Sequence, residues 1–219
     1  MKNKLSIPVF HGSFTGNIEE FHPCTHFGTR EQATYRAIEK AMGSNLDEFY
    51  KKAKISKKSI FVYSCLIEFY PHECYEMEDW GASDCKTTLY HYLKKSRGEE
   101  YQKKIWRTHI NLKDDEGEMI DISGASILKI LDKHMLESQH KIISYANLVE
   151  FQGMSYMALY GDVVKITDIE CLSLEEFKIY FQRYEDKLHK VYKGKRAYRM
   201  LQSKFKKDRL EFEDVFNQS

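Results

Sequence analysis

Between Ser59 and Phe69 the chain runs through β-branched and aromatic residues with Glu68 as the single charge, and Pro71 halts the run. A segment of this kind suits a strand in the middle of a sheet, where bulky side chains pack on the pleated surface and both backbone edges are paired. Proline then ends it, because its ring removes the amide hydrogen that a ladder needs. A central strand demands partner strands elsewhere in the chain, so the remaining segments are read for them.

Leu5 to Ser13 is the first partner, a short strand with Ile7, Val9 and His11 pointing one way that ends at the turn Gly12-Ser13. Thr25 to Gly28 is a second extended piece. Thr29 follows as an N-cap for a helix over Glu31 to Met42, which Gly43 closes. After the lysine-rich stretch Lys51 to Lys58 and the central strand, Leu89 to Lys95 and Ser126 to Leu136 have helical spacing, and the charged turn Lys113 to Gly117 separates them. Lys141 to Val149 and Met154 to Ile166 read as two strands joined at Phe151-Gln152-Gly153, and there the sheet is expected to end. From Ser173, with Glu176 as its capping-box partner, alternating charged and aromatic residues continue as one or two amphipathic helices. The expected class is α+β, with a body over residues 1–172 and a helical C-terminal extension over 173–219.

The 219 residues, 42% hydrophobic with 15 tyrosines and 13 phenylalanines, can bury a core, which excludes wholesale disorder. Lys and Arg (34) nearly cancel Asp and Glu (33), so no global field draws the chain to nucleic acid or to an anionic membrane. No window reaches the ~18 apolar residues of a membrane span, and residues 1–12 lack the apolar core of a secretory signal, so a cytoplasmic protein with no membrane partner is expected. The five cysteines are odd in number and lack CxxC spacing, which argues for reduced thiols and against structural zinc. His72, Cys74 and Cys85 could converge on a metal, yet the gap between the cysteines fits no common ligand signature.

Three clusters carry candidate chemistry. In the first, Phe10-His11-Gly12-Ser13, a histidine at a strand end can hydrogen-bond ribose hydroxyls while its small neighbours let a ligand approach the backbone. The second is His26-Phe27-Gly28-Thr29 followed by Ala33-Thr34-Tyr35. The third is Tyr145, Asn147 and Glu150, a turn, then Ser155 and Tyr156. For each there is a plainer reading: a structural histidine at position 11, core aromatics at Phe27 and Tyr35, and a Glu150 that accepts backbone hydrogen bonds in the hairpin.

Taken together the clusters resemble the ADP-ribosyltransferase-like superfamily, in its bacterial and phage-type mono-ADP-ribosyltransferases. The central strand and the acidic loop Glu78-Asp79-Trp80-Gly81 extend the likeness, which spans Ile7 to Ile166. The resemblance implies a split mixed β-sheet core with flanking helices, and NAD as substrate. It implies that His11, Gly12 and Ser13 hold the nicotinamide-side ribose, and that His26 and Tyr35 bracket the nicotinamide ring, with Phe27 and Gly28 beside them. Glu150, with His11, would be catalytic, stabilising the oxocarbenium-like state as nicotinamide leaves. Ser155 would line the cofactor site at the place where the poly-ADP-ribose branch has its glutamate. Neither GxxxxGK[ST] nor GxGxxG occurs, in keeping with a fold that grips pyrophosphate without them.

The expected activity is transfer of ADP-ribose to a macromolecule, protein or nucleic acid, by a toxin, effector or defence factor, acting in the cytoplasm or delivered into a target-cell cytosol. One alternative is a catalytically inactive domain of the same fold that binds a nucleotide or macromolecule. The other is a nucleic-acid-binding module using the basic stretch Lys193 to Lys207, where Tyr198 and Phe205 interleave the cations. Against that contact stands the acidic run Glu211 to Asp214.

Overall fold

Most of the described segments with a consistent period form the element their pattern dictates. The computed structural model describes residues 3–14, 16–43, 60–81, 84–113, 116–147 and 153–192. Strand β1 is Leu5–Ser13, β2 is Thr25–Phe27, and helix α1 is Arg30–Gly43. Thr29 caps α1 as expected: its hydroxyl accepts from Gln32 N at 3.2 Å while Gln32 Oε1 accepts from Thr29 N at 2.8 Å. Strand β3 is Phe61–Phe69, with Val62, Tyr63, Cys65, Ile67 and Phe69 all buried.

The chain divides into two compact units, each drawn from three stretches. Met1–Ile7, Glu20–Phe27 and Leu66–Lys165 make the first; Pro8–Glu19, Gly28–Cys65 and Ile166–Ser219 make the second.

The first unit holds a four-stranded sheet in the order β2–β6–β5–β4, where β4 is Cys74–Met77, β5 Ile142–Asn147 and β6 Gly153–Ala158. β5 pairs antiparallel with β6 and parallel with β4, so the sheet is mixed. Its helices are α2 (Cys85–Arg97), α3 (Glu99–Ile105), which runs into a π-helical turn Trp106–Ile110, and α4 (Gly124–Glu137). Asp84 starts α2 by accepting Thr87 N at 2.8 Å, and Gly98, at φ 90°, allows the break before α3. Leu89, Tyr92 and Leu93 of α2 and Ile127, Leu131 and Met135 of α4 recur at three and four residues, which sets them on one helix face. With Met77, Ile143 and Met157 from one face of the sheet they form a single buried cluster. Each fully buried leucine there contributes about 1.5–3 kcal/mol.

The other sheet is three-stranded in the order β1–β3–β7, with β7 Val164–Cys171 at an edge, and most of its residues, together with α1 and α5 (Leu174–Tyr192), belong to the second unit. β3 is therefore the central strand its composition demanded. Ser173 caps α5, its hydroxyl accepting from Glu176 N at 3.2 Å while Glu176 Oε2 accepts from Ser173 N at 3.2 Å. Phe177, Tyr180 and Phe181 face inward at i, i+3 and i+4. Arg30 of α1 holds Glu170 and Glu176 at 2.8 Å each, which ties the start of α5 to the start of α1.

Two expectations are corrected. Met154 to Ile166 is not one strand: β6 ends at Ala158, a 3-10 turn Gly161–Val163 follows, and the chain enters β7 in the other sheet. The break sits at Gly161 because a side chain there would strike Glu20 Cγ at 2.8 Å and crowd the Phe21 carbonyl. The sheet structure consequently continues to Cys171 rather than stopping near Ile166. Cys74–Met77, a parallel strand, had no clear pattern, since four residues with one buried side chain show little alternation. The class is α+β as expected, and no helix among the described residues is long and apolar enough to cross a membrane.

Candidate active site

In the first unit, the strand register gathers polar groups at one end of the four-stranded sheet. His26 lies opposite Met157, Tyr145 opposite Ser155, and Asn147 opposite Gly153. Side chains alternate along a strand, so His26, Tyr145, Asn147 and Ser155 share the face that carries Met157 and Ile143. The Tyr145 hydroxyl is hydrogen-bonded to His26 Nδ1 at 2.8 Å, with the hydroxyl donating when the imidazole carries its proton on Nε2. Asn147 Nδ2 donates to Ser155 Oγ at 3.3 Å, and these two residues are only 5% and 3% exposed.

Trp80 completes the group, three residues beyond the end of β4. Asp79 Oδ1 accepts from Gly81 N at 2.9 Å, and Gly81 takes φ 68°, a conformation that favours glycine. This turn seats the Trp80 ring against Tyr145, centroids 4.6 Å apart, and 5.9 Å from the His26 ring. His26 and Tyr145 meet edge-on at 5.9 Å. The indole N–H is buried and has no hydrogen-bond partner among the described residues. Three aromatic rings, one of them an imidazole, thus pack together at this end of the sheet, with the indole N–H buried among them.

In the second unit, His11, Gly12 and Ser13 are the last residues of β1, all half-buried. Phe10 and Gly28 exchange backbone hydrogen bonds, Phe10 N to Gly28 O at 2.8 Å and Gly28 N to Phe10 O at 3.0 Å. This bridge joins the end of β1 to the start of α1. Gly12 lies against the helix: a Cβ there would overlap the Ala33 carbonyl oxygen and stand 2.8 Å from Ala37 Cβ. Tyr35, half a turn from both alanines, projects from the other side of α1 and is 2% exposed. Gly28 is buried, and a Cβ on it would overlap the Gln32 amide that caps the helix. Phe27 is buried as well, on the sheet face opposite His26, and its ring meets Phe21 edge-on at 4.9 Å.

No family model, no curated protein and no solved structure matches this chain.

The expected residues thus fall into two groups that the local structure explains separately. His26 and Ser155, with Tyr145 and Asn147, are brought onto one sheet face in the first unit. His11, Gly12, Ser13, Gly28 and Tyr35 belong to the β1–α1 corner of the second. Glu150 lies outside the described residues, as does the basic stretch Lys193 to Lys207. Asp162 is exposed in the turn beyond the C-terminal end of β6, away from the end that bears Ser155. Tyr156 faces Phe27 and Ser144 on the other side of the sheet, and burial pushes its hydroxyl pKa up. Trp80 was not singled out from sequence as a site residue; the available signal was its place in the turn Asp79-Trp80-Gly81 directly after a strand.

Proposed function

We propose that the chain is a NAD-dependent mono-ADP-ribosyltransferase that transfers ADP-ribose to a macromolecular acceptor, protein or nucleic acid, as a bacterial or phage toxin, effector or defence factor. In this reading its fold is of the ADP-ribosyltransferase-like kind, and it acts in a cytoplasm, its own or that of a target cell. The observation that supports this best is the His26–Tyr145–Trp80 cluster, on the same sheet end that bears Asn147 and Ser155 and from which the chain continues toward Glu150.

In this reading nicotinamide binds at that cluster. It is a flat cation in NAD, for which aromatic faces contribute about 0.5–2 kcal/mol, and its carboxamide oxygen matches a buried indole donor that has no described partner. His26 and Tyr145, fixed by their mutual hydrogen bond, orient the ring together with Trp80. Tyr35 then serves as a core aromatic of the second unit, the alternative its sequence position left open. His11, with Gly12 and Ser13, holds the ribose, and Glu150 accepts a ribose hydroxyl. As the glycosidic bond breaks, its electron pair leaves with nicotinamide, and the Glu150 carboxylate stabilises the positive charge that develops on the ribose. The acceptor forms the new bond to the same carbon and gives up its proton. Positioning and charge stabilisation supply most of the rate.

The test is incubation with labelled NAD and cell lysate. Label transfer or nicotinamide release is expected from the unaltered protein, and His11→Ala and Glu150→Ala are each expected to reduce it by about a hundredfold, roughly 3 kcal/mol of transition-state stabilisation. Release that survives Glu150→Ala but is lost in Ser155 or Asp162 variants overturns the catalytic assignment.

One observation favours a second reading. Ser155, buried and bound to Asn147, puts no carboxylate at its place in the sheet, as in a catalytically silent protein of the same fold that only binds a nucleotide. Saturable NAD binding without nicotinamide release selects that reading. Steep weakening of nucleic-acid binding with rising salt would instead place the function in Lys193 to Lys207.

A further inference from the structure

The first unit has an open cavity of about 540 Å³ that no chemistry assigned so far uses. It lies between the π-helical turn Trp106–Ile110, the loop that follows and the start of α4. Helix α4 buries Ile127, Leu131 and Met135 on one side, while Ser126, Lys129 and Ile130, three and four residues apart, share another side and line the cavity. A π-turn holds more residues than an α-turn and recurs at functional sites; here it supplies His109 to the lining.

The lining combines apolar and charged groups. Leu112, Ile122 and Ile130 are half-buried, and Ile122 and Ile130 pack against the core cluster of the unit, which fixes their positions. Ile120 N donates to Leu112 O at 2.9 Å, and the loop between them leaves Met119 and Ile120 exposed beside the cavity. Asp121 and Lys129 also line it, are exposed and carry opposite charges, and neither is in an ion pair among the described residues, with the other or with a neighbour. Apolar surface left in water here is covered with a gain of about 25 cal/mol per Å² by any ligand whose charges suit the two side chains.

Those charges select the ligand. A purely anionic ligand is repelled by the Asp121 carboxylate, and a purely cationic one by the Lys129 ammonium, so a molecule with one group of each sign on an apolar body is favoured over both. The volume is within the range of small-molecule sites, roughly 300–1,000 Å³, and exceeds what a single amino acid fills. We propose that this cavity binds short zwitterionic peptides with apolar side chains. The peptide ammonium pairs with Asp121, its carboxylate pairs with Lys129, and its side chains cover Leu112, Ile122 and Ile130, with His109 offering a ring nitrogen to the peptide group. This proposal does not rest on the transferase reading.

The test titrates the full chain with the dipeptide leucyl-phenylalanine and follows backbone amide resonances. Saturable shifts are expected at His109, Asp121, Ile122 and Lys129. The N-acetylated and the C-amidated dipeptides, each lacking one charge, are expected to bind about three- to tenfold more weakly. Asp121→Asn is expected to abolish the preference for a free ammonium, and Lys129→Gln the preference for a free carboxylate. Shifts that are absent or fall elsewhere, capped dipeptides that bind as tightly as the free one, or preferences that survive both substitutions overturn the proposal. The three dipeptides are compared on the unaltered protein, so a variant that fails to fold leaves the test intact.

Discussion

A single missing side chain joins the first strand to the first helix. Gly12 allows β1 to touch α1, and Gly12→Ala would push a methyl group into the Ala33 carbonyl and Ala37 Cβ, neither of which is the end of a flexible side chain. The expected loss is about 1–3 kcal/mol, as for other overpacked sites, read as a drop in thermal midpoint; an unchanged midpoint would show that strand and helix are not in contact. The glycine was legible in sequence, but its neighbours Ala33 and Ala37 were not, because contact partners so far along the chain leave no mark on local pattern. Tyr145 makes the complementary case. Tyr145→Phe keeps the ring against Trp80 and removes the bond to His26, so we expect stability to fall by about 1–2 kcal/mol and nicotinamide release by about tenfold or more. Unaltered release in a folded Tyr145→Phe protein would remove the hydrogen bond from the mechanism. Tyr145 could be nominated from its cluster, whereas its partnership with His26, 119 residues away, came only with the strand register.

At the scale of elements, caps and periodicity were the dependable signals. The start of α5 needs no tertiary information, since Ser173 and Glu176 satisfy each other's backbone groups. Ser173→Ala should cost about 1 kcal/mol, whereas Phe177→Ala, deeper in the same helix and fully buried, should cost about 3–5 kcal/mol, and denaturant titration of the two variants separates cap from core. Equal losses would mean that α5 is held by its end and not by its buried face. What stayed hidden were elements too short or too irregular to carry a period. β4 has four residues, and the turn Trp106–Ile110 closes with Asn111 N bonded to Trp106 O at 2.7 Å, a five-residue spacing that no 3.6-residue pattern announces. β6 and β7 merged in the sequence because both are β-prone and the Gly161 break between them depends on a contact with Glu20 and Phe21.

For the molecule as a whole, acid should destabilise in two stages. Burial holds His134 and His140 below the ordinary histidine value of about 6.5, so both stay neutral when folded and take up protons on unfolding. Their contribution is complete above that value and is lost as pH falls through the lower folded ones. Glu73 adds the second stage. Burial raises its pKa, but Lys141 Nζ at 2.7 Å and the Tyr70 N–H at 2.8 Å more than offset this, and the folded value lies below that of a free glutamate. Stability from Glu73 is present above about pH 4.5 and fades as pH drops further, so the thermal midpoint should decline first below about pH 6.5 and again below about pH 4.5. A Glu73→Gln protein should lose the pairing at every pH and show a weaker second stage; a second stage of unchanged size would assign it to other carboxylates.

The path of the backbone has a consequence for how the protein is made. The chain passes from one unit to the other five times, after Ile7, Glu19, Phe27, Cys65 and Lys165. During synthesis the first unit can be completed once Lys165 has left the ribosome, but the second must wait for β7 and α5, with its earlier stretches held open until then. A chain stopped at Lys165 would carry Ile60, Val62, Tyr63 and Cys65 without the last strand and helix of their unit. Such a fragment is expected to melt below the full chain and with a smaller enthalpy and to be cut readily by protease, and a fragment that melts as the full chain does would show that the opening three-quarters of the polypeptide is a self-sufficient folding body.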